Sequence, residues 1–194
     1  MSVRPILRIG NPLLNCVSEA IPTTPGVPWS LGSSELADLV ADMLATMEAV
    51  GGAGLAAVQI GVPKAVMVFG ITQNPRYPDA EPVPTTVLIN PALEVLDSAP
   101  AEYFEGCLSV PGFRGPVLRP ASIRYTATLL TGERITRDVS GFHARVFQHE
   151  YDHLMGRLFP SRITDFSRFG VTEELEAAGV IPKISTSAAS TSSS

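Results

Sequence analysis

The sequence predicts an α+β fold in which short antiparallel sheets and hairpins pack around a central helix. Three observations carry that prediction. Apolar residues recur at helical spacing over 34–50, and a second helical stripe runs through 141–156. Short apolar or alternating runs at 66–69, 87–91, 93–96, 123–130 and 134–139 have the length and period of strands. Gly, Pro and Asn punctuate the intervals between them.

Taken in order, residues 1–32 read as an extended arm and loops, with a turn at Asn11-Pro12. In the helix over 34–50, Leu36, Leu39, Val40, Met43, Leu44, Met47 and Val50 form the core stripe. Ser34 is placed to cap its start, and Gly51-Gly52 end it. The following GAGLAAVQIG, 52–61, is a weak phosphate-loop signal because no Lys follows. Its small residues instead suggest a backbone approached closely by something else, and Gln59 suits a buried backbone group. After the strand at 66–69, the Pro-rich residues 72–86 read as a surface loop. The run at 87–91 reads as a strand stopping at a turn, and 93–96 as a separate one. Residues 123–130, the turn Thr131-Gly132 and 134–139 form a hairpin. An acidic helix follows over 172–178, ending at Gly179.

At 194 residues, the chain suits one domain with one core. No composition shift marks a boundary, so 1–182 reads as a single domain and 183–194, KISTSAASTSSS, as a flexible Ser-rich tail. With 45% hydrophobic and 17% charged residues, the chain is not disordered as a whole. A net charge of -5 argues against a broad nucleic-acid-binding surface. No run reaches membrane-spanning length and no signal segment is visible in MSVRPILRIG, so a cytoplasmic protein is expected. Cys16 and Cys107 make no disulfide framework. Cys16 reads as a half-buried structural thiol, and Cys107 as a ligand or nucleophile candidate.

The richest stretch is 141–156, GFHARVFQHEYDHLMG, which contains an H-E-x-x-H at 149–153. On a helix, His149 and His153 lie one turn apart and about 40° round the axis, so both reach one small cation. Glu150 sits beside the first ligand, close enough to touch a metal-bound water. Phe142, Val146, His149 and His153 share one stripe, Ser140 is placed to cap the start, and Gly156 suits the exit. His143 lies off the ligand stripe and reads as a packing or surface residue.

Two imidazoles do not complete a catalytic metal site, which usually has three protein ligands and a water. Cys107, in EGCLS at 105–109 before the turn Pro111-Gly112, is the leading third ligand. Asp152 and Glu105 are its rivals, and Asp152 points off the shared face of a regular helix. A thiolate with two imidazoles suits Fe2+, Zn2+, Co2+ or Ni2+.

Three motifs together resemble the peptide deformylases: GAGLAAVQIG at 52–61, EGCLS at 105–109 and QHEYDHLMG at 148–156. The resemblance runs from about Ile6 to Phe169. It implies a metal-dependent hydrolase that removes the N-formyl group from the N-terminal formylmethionine of new polypeptides, releasing formate. By the same resemblance, Cys107, His149 and His153 hold one divalent ion, foremost Fe2+, with Zn2+, Ni2+ or Co2+ able to substitute. Glu150 is the general base, and Gln59 and the Leu108 amide stabilise the oxyanion. The N-formylmethionyl peptide would pair with the backbone at Gly54. Phe142 and Val146 would line the methionine pocket, and Arg114 would face the substrate. For these last three, core packing or a solvated charge is the plain alternative. Some deformylases carry a basic C-terminal helix that docks at the ribosome. Glu173, Glu174 and Glu176 depart from that pattern and argue against docking by that route.

Two other readings remain at this level. A metallopeptidase would need a third ligand downstream of His153, where only Asp165, Glu173, Glu174 and Glu176 stand. A non-catalytic metal or peptide module would need a fourth protein ligand and would have no use for Glu150.

Overall fold

The structure, a computed structural model, describes residues 1–24, 27, 29–72 and 80–183. Residues 73–79 of the loop expected at 72–86, and all but the first residue of the tail expected at 183–194, therefore lie outside the described residues. Five strands, β1 (Gly54–Ala56), β2 (Val66–Ile71), β3 (Val83–Cys107), β4 (Val110–Thr128) and β5 (Arg134–Ser140), form an antiparallel sheet in the order β1-β2-β3-β4-β5. A short β6 (Gly170–Val171) pairs with Phe113 and Arg114 of β4. Helices α1 (Ser34–Ala49), α2 (Gly141–Leu154) and α3 (Thr172–Ala177) complete the α+β arrangement.

The sheet separates two apolar layers at its β1–β2 end. Leu55, Val66, Val68 and Ile89 face α1, where Leu36, Leu39, Val40, Met43 and Met47 are buried. Ala56, Met67, Phe69 and Leu88 face α2 and pack with Ala144, Val146, Phe147 and Leu154. Alternate residues of β2 thus enter different layers, which is why 66–69 is continuously apolar rather than alternating. A third cluster of Leu14, Val110, Val117, Leu158, Phe159 and Ile163 fills the region below the end of β3.

Several expectations are corrected. Ser33, not Ser34, caps α1, its Oγ accepting from the Leu36 N–H at 3.3 Å. The reason is spacing: a cap side chain bonds the amide two or three residues on. Ser140 holds the N-cap position of α2 without a side-chain cap bond. The runs 87–91 and 93–96 are one strand, β3, which begins at Val83 inside the segment expected to be loop. Asn90-Pro91 kinks that strand instead of ending it. The register shifts between Ile89 and Ala92, Asn90 takes φ 50°, and its side chain bonds both the N–H and the C=O of Ile21. Proline is tolerated at such a bulge because no ladder hydrogen bond is lost there. Cys16 is exposed rather than half-buried. The β4–β5 hairpin forms with Gly132 at φ 86° in its turn. Among the described residues, no helix is long and apolar enough to cross a membrane.

Candidate active site

Helix α2 carries the two histidines one turn apart, with ring centroids 5.1 Å apart and nearly perpendicular at 78°. Cys107 is the last residue of β3. The pairing Cys107↔Val110 closes a two-residue turn at Leu108 and Ser109, replacing the turn expected at Pro111-Gly112. That hairpin sets the Cys107 sulfur 3.3 Å from His153 Nε2, and the ligand atoms of Cys107, His149 and His153 all lie within 4.8 Å of one another. The Ser109 N–H, at 3.4 Å, and the Gln59 amide, at 3.6 Å, both donate toward the sulfur.

Glu105 and Asp152, the rival ligands, are committed elsewhere. A Glu105 oxygen lies 2.8 Å from His149 Nδ1, which leaves His149 Nε2 for the ion. Arg119 grips Glu105 through both oxygens and reaches Asp152 Oδ2 at 3.0 Å. Arg162 closes the far side of Asp152. Burial alone would raise the Glu105 pKa. The Arg119 and His149 hydrogen bonds outweigh it and hold this carboxyl well below the usual carboxylate range. Arg119 and Arg162 were not anticipated. The available signal was that Arg119 interrupts the apolar PVLRPAS while two site-motif acids lacked a cation.

Glu150 is buried and its Oε2 has no hydrogen-bond partner among the described residues. Burial pushes its pKa up to about 7. Gln59 fills the buried-backbone role expected of it. Its Oε1 accepts from the Ala56 N–H at 2.8 Å, and its amide nitrogen donates to Ser109 Oγ at 3.1 Å while facing the sulfur. His143 packs as expected, edge-on to Phe69 and 3.3 Å from the Tyr125 hydroxyl.

A cavity of about 560 Å³ opens over this group. Gly54, Gln59, Cys107, Leu108, Arg114, Phe142, Val146, His149 and Glu150 all line it, and His153 lies buried behind them. Val146 also belongs to the core, Phe142 packs at its edge, and Arg114 is buried rather than a solvated surface charge. Between the pairs Glu105↔Gly115 and Cys107↔Val110 the register shifts and β4 bulges, and Gly112 and Phe113 of that bulge form one rim. Thr172, Glu173 and Glu176 of α3 form another, because Thr172 Oγ1 donates to the Gly112 carbonyl at 3.0 Å and β6 pairs with the bulge. Neither rim was legible in the local sequence.

The residues present fit a divalent ion. One soft sulfur and two imidazole nitrogens converge, with an orphaned carboxylate oxygen beside them.

Comparisons with known proteins agree. The sequence matches the polypeptide deformylase family model over residues 3–169. It is 51% identical over 168 residues to peptide deformylase 2 of Pseudomonas syringae, covering 87% of this chain and 91% of that protein. It is 48% identical over 187 residues to peptide deformylase 1 of Prochlorococcus marinus, covering 95% and 93%. Among solved structures, the Met-Ala-Ser-bound peptide deformylase of Acinetobacter baumannii is 37% identical, with a TM-score of 0.78 over 84% of this chain and 100% of that one. The Thermotoga maritima peptide deformylase is 28% identical, with a TM-score of 0.71 over 85% and 100%. The chain therefore belongs to the peptide deformylase family, metal-dependent hydrolases that remove the N-formyl group from nascent polypeptides.

Proposed function

We propose that residues 1–182 act as one catalytic domain, with Cys107, His149 and His153 holding a single Fe2+, for which Zn2+, Ni2+ or Co2+ can substitute. The donor set supports this, since thiolate and imidazole together suit these late divalent metals better than Mg2+ or Ca2+. Bound there, the ion supplies a Lewis acid that lowers the pKa of water. Glu150 takes the proton from the attacking water and later delivers it to the amide nitrogen, so that the C–N bond breaks with the amine departing neutral and formate left behind. The Gln59 amide and the Leu108 N–H donate to the oxyanion as it develops. One such donor typically lowers the barrier by about 3–4 kcal/mol.

The peptide would extend the sheet beside β1, its backbone pairing at Gly54, since β1 is the end strand of the sheet order. Phe142 and Val146 would wall the methionine side chain, and Arg114 would hold the peptide from the opposite rim. The acidic Glu173, Glu174 and Glu176 repel RNA phosphates, which argues against ribosome docking through α3. Ribosome cosedimentation tests that point. We place the activity in the cytoplasm, where nascent chains emerge.

One observation carries the reading: a sulfur and two ring nitrogens within 4.8 Å, with the partnerless Glu150 oxygen in the same cavity. The test is formate release from a formyl-methionyl peptide by protein purified anaerobically with its metal counted, because Fe2+ beside a thiolate is oxygen-sensitive. Cys107→Ala should lose both metal and activity. Acetyl-methionyl peptide should turn over far more slowly than formyl. Equal rates on the two would refute the specificity, and full activity without Cys107 would refute the centre.

A further inference from the structure

Gly54 is the first residue of strand β1 and has a φ outside the left-handed region, so its backbone is open to any residue. A glycine there is required by space rather than by conformation, as where another group approaches the backbone closely. A Cβ built at Gly54 would lie 2.3 Å from Glu150 Oε1 and 2.8 Å from both its Cδ and its Cγ. The terminal oxygen alone could swing aside. Cγ cannot, because rotation about Cα–Cβ sets its position, so a methyl at 54 displaces the whole carboxyl.

Neither backbone can retreat, so the carboxyl itself must move into the cavity. Glu150 is 4% exposed and sits on a helix turn between His149 and His153. Strand β1 is fixed by the pairs Gly54↔Phe69, Leu55↔Val68 and Ala56↔Met67 and by the fully buried Leu55 and Ala56. The Gly70 N–H also donates to the Ala53 carbonyl at 2.9 Å. At nearby Gly52, by contrast, a Cβ would meet Leu108 Cδ1 at 3.2 Å and Met47 Cγ at 3.3 Å, contacts far less tight than those at Gly54.

We propose that Gly54 is a positioning residue for Glu150: its missing side chain is the slot that holds the carboxyl in the cleft. Oε1 lies against Gly54, and the buried Oε2 has no hydrogen-bond partner among the described residues. This role is separate from pairing with the peptide. Pairing uses the backbone N–H and C=O, which alanine keeps, whereas clearance uses the missing Cβ, which alanine fills. The inference rests on the assignment of Glu150 as general base.

The test is a cycle of Gly54→Ala, Glu150→Ala and the double variant. For each, the metal is counted, kcat and KM are measured on formyl-Met-Ala-Ser, and the affinity for Met-Ala-Ser and the unfolding midpoint are recorded. Gly54→Ala should lower kcat by about a hundredfold or more, the scale of a misplaced general base. Metal content should hold, and Met-Ala-Ser affinity should stay within about threefold. In the Glu150→Ala background the same substitution should cost almost nothing in kcat or stability, because the clash is gone. If Gly54→Ala is too unstable to purify, the double variant should still fold. An equal loss in both backgrounds, or a raised KM with kcat intact, would overturn the proposal. A crystal structure of Gly54→Ala with the carboxyl unmoved would do the same. A fully active Glu150→Ala would instead sink the assignment of the base and leave the packing relation standing.

Discussion

Helices α1 and α2 lie on opposite sides of the same strands, and each buries most of one flank. Helix α1 does so with Leu36, Leu39, Val40, Met43 and Met47, adding only Thr46, whose hydroxyl donates to the Asp42 carbonyl one turn back. Helix α2 buries Gln148, Glu150, Asp152 and His153 alongside its apolar residues. An apolar face needs only apolar neighbours of the right total volume, so α1 tolerates many partners. Each buried polar group on α2 needs a particular partner, or a ligand, in a particular place. Gln148 finds the carbonyls of Pro120 and Ala144, and Asp152 finds Arg119 and Arg162. Two atoms on this face, Glu150 Oε2 and His153 Nδ1, are buried without a hydrogen-bond partner among the described residues. One helix is packed for stability and the other is wired for position.

Breaking the wiring should have the largest effect. Arg119→Met leaves Glu105 and Asp152 buried without their shared cation. It should cost about 3–5 kcal/mol in denaturant unfolding. It should also lower metal content, because Glu105 would no longer orient His149. Loss of stability with full metal retention would show that the network serves folding alone. Next comes Met43→Ala at the centre of the α1 face, where the side chain is fully buried. A cavity there should cost about 2–5 kcal/mol, yet kcat per folded, metal-loaded molecule should match the parent. If Met43→Ala lowers kcat as Arg119→Met does, the division of labour between the helices fails. Ser33→Ala should cost only about 1 kcal/mol, read as a small drop in unfolding midpoint, because it removes a single cap.

The smallest expected effect is a pH slope. Burial, and then the positive charge of Arg137, lowers the pKa of His143 in the folded protein. The unfolded chain then takes up this proton at higher pH than the folded one. The contribution of His143 is therefore full above about pH 6.5 and is lost as pH falls from there through the folded pKa. His143→Gln should flatten that part of the stability profile relative to the parent, leaving the titration of His149 and His153 common to both proteins.

The core of the site was readable before any coordinates. His149, Glu150 and His153 lie within one helical turn or so of each other, and helix geometry alone brings the two imidazoles to one face. Cys107 was readable through its motif, although its 3.3 Å approach to His153 depends on the β3–β4 hairpin. Arg119, Arg162 and the α3 rim of the cleft were not readable. Their partners are distant in sequence, and a solitary arginine or glutamate carries no periodic signal. The single strand through Asn90-Pro91 was missed for a related reason. Local turn chemistry favoured a stop, and tertiary bonds to Ile21 overrode it.

By itself, the sequence determined the two amphipathic helices, the β4–β5 hairpin and the pairing of two imidazoles with a carboxylate, because short periods and fixed spacings act within a few residues. Only the tertiary structure decided which acids would be salt-bridged and which left open, and which glycine would make room for a side chain. Those outcomes depend on charges and atoms meeting across the fold, where desolvation and close packing act on neighbours that the linear order does not name.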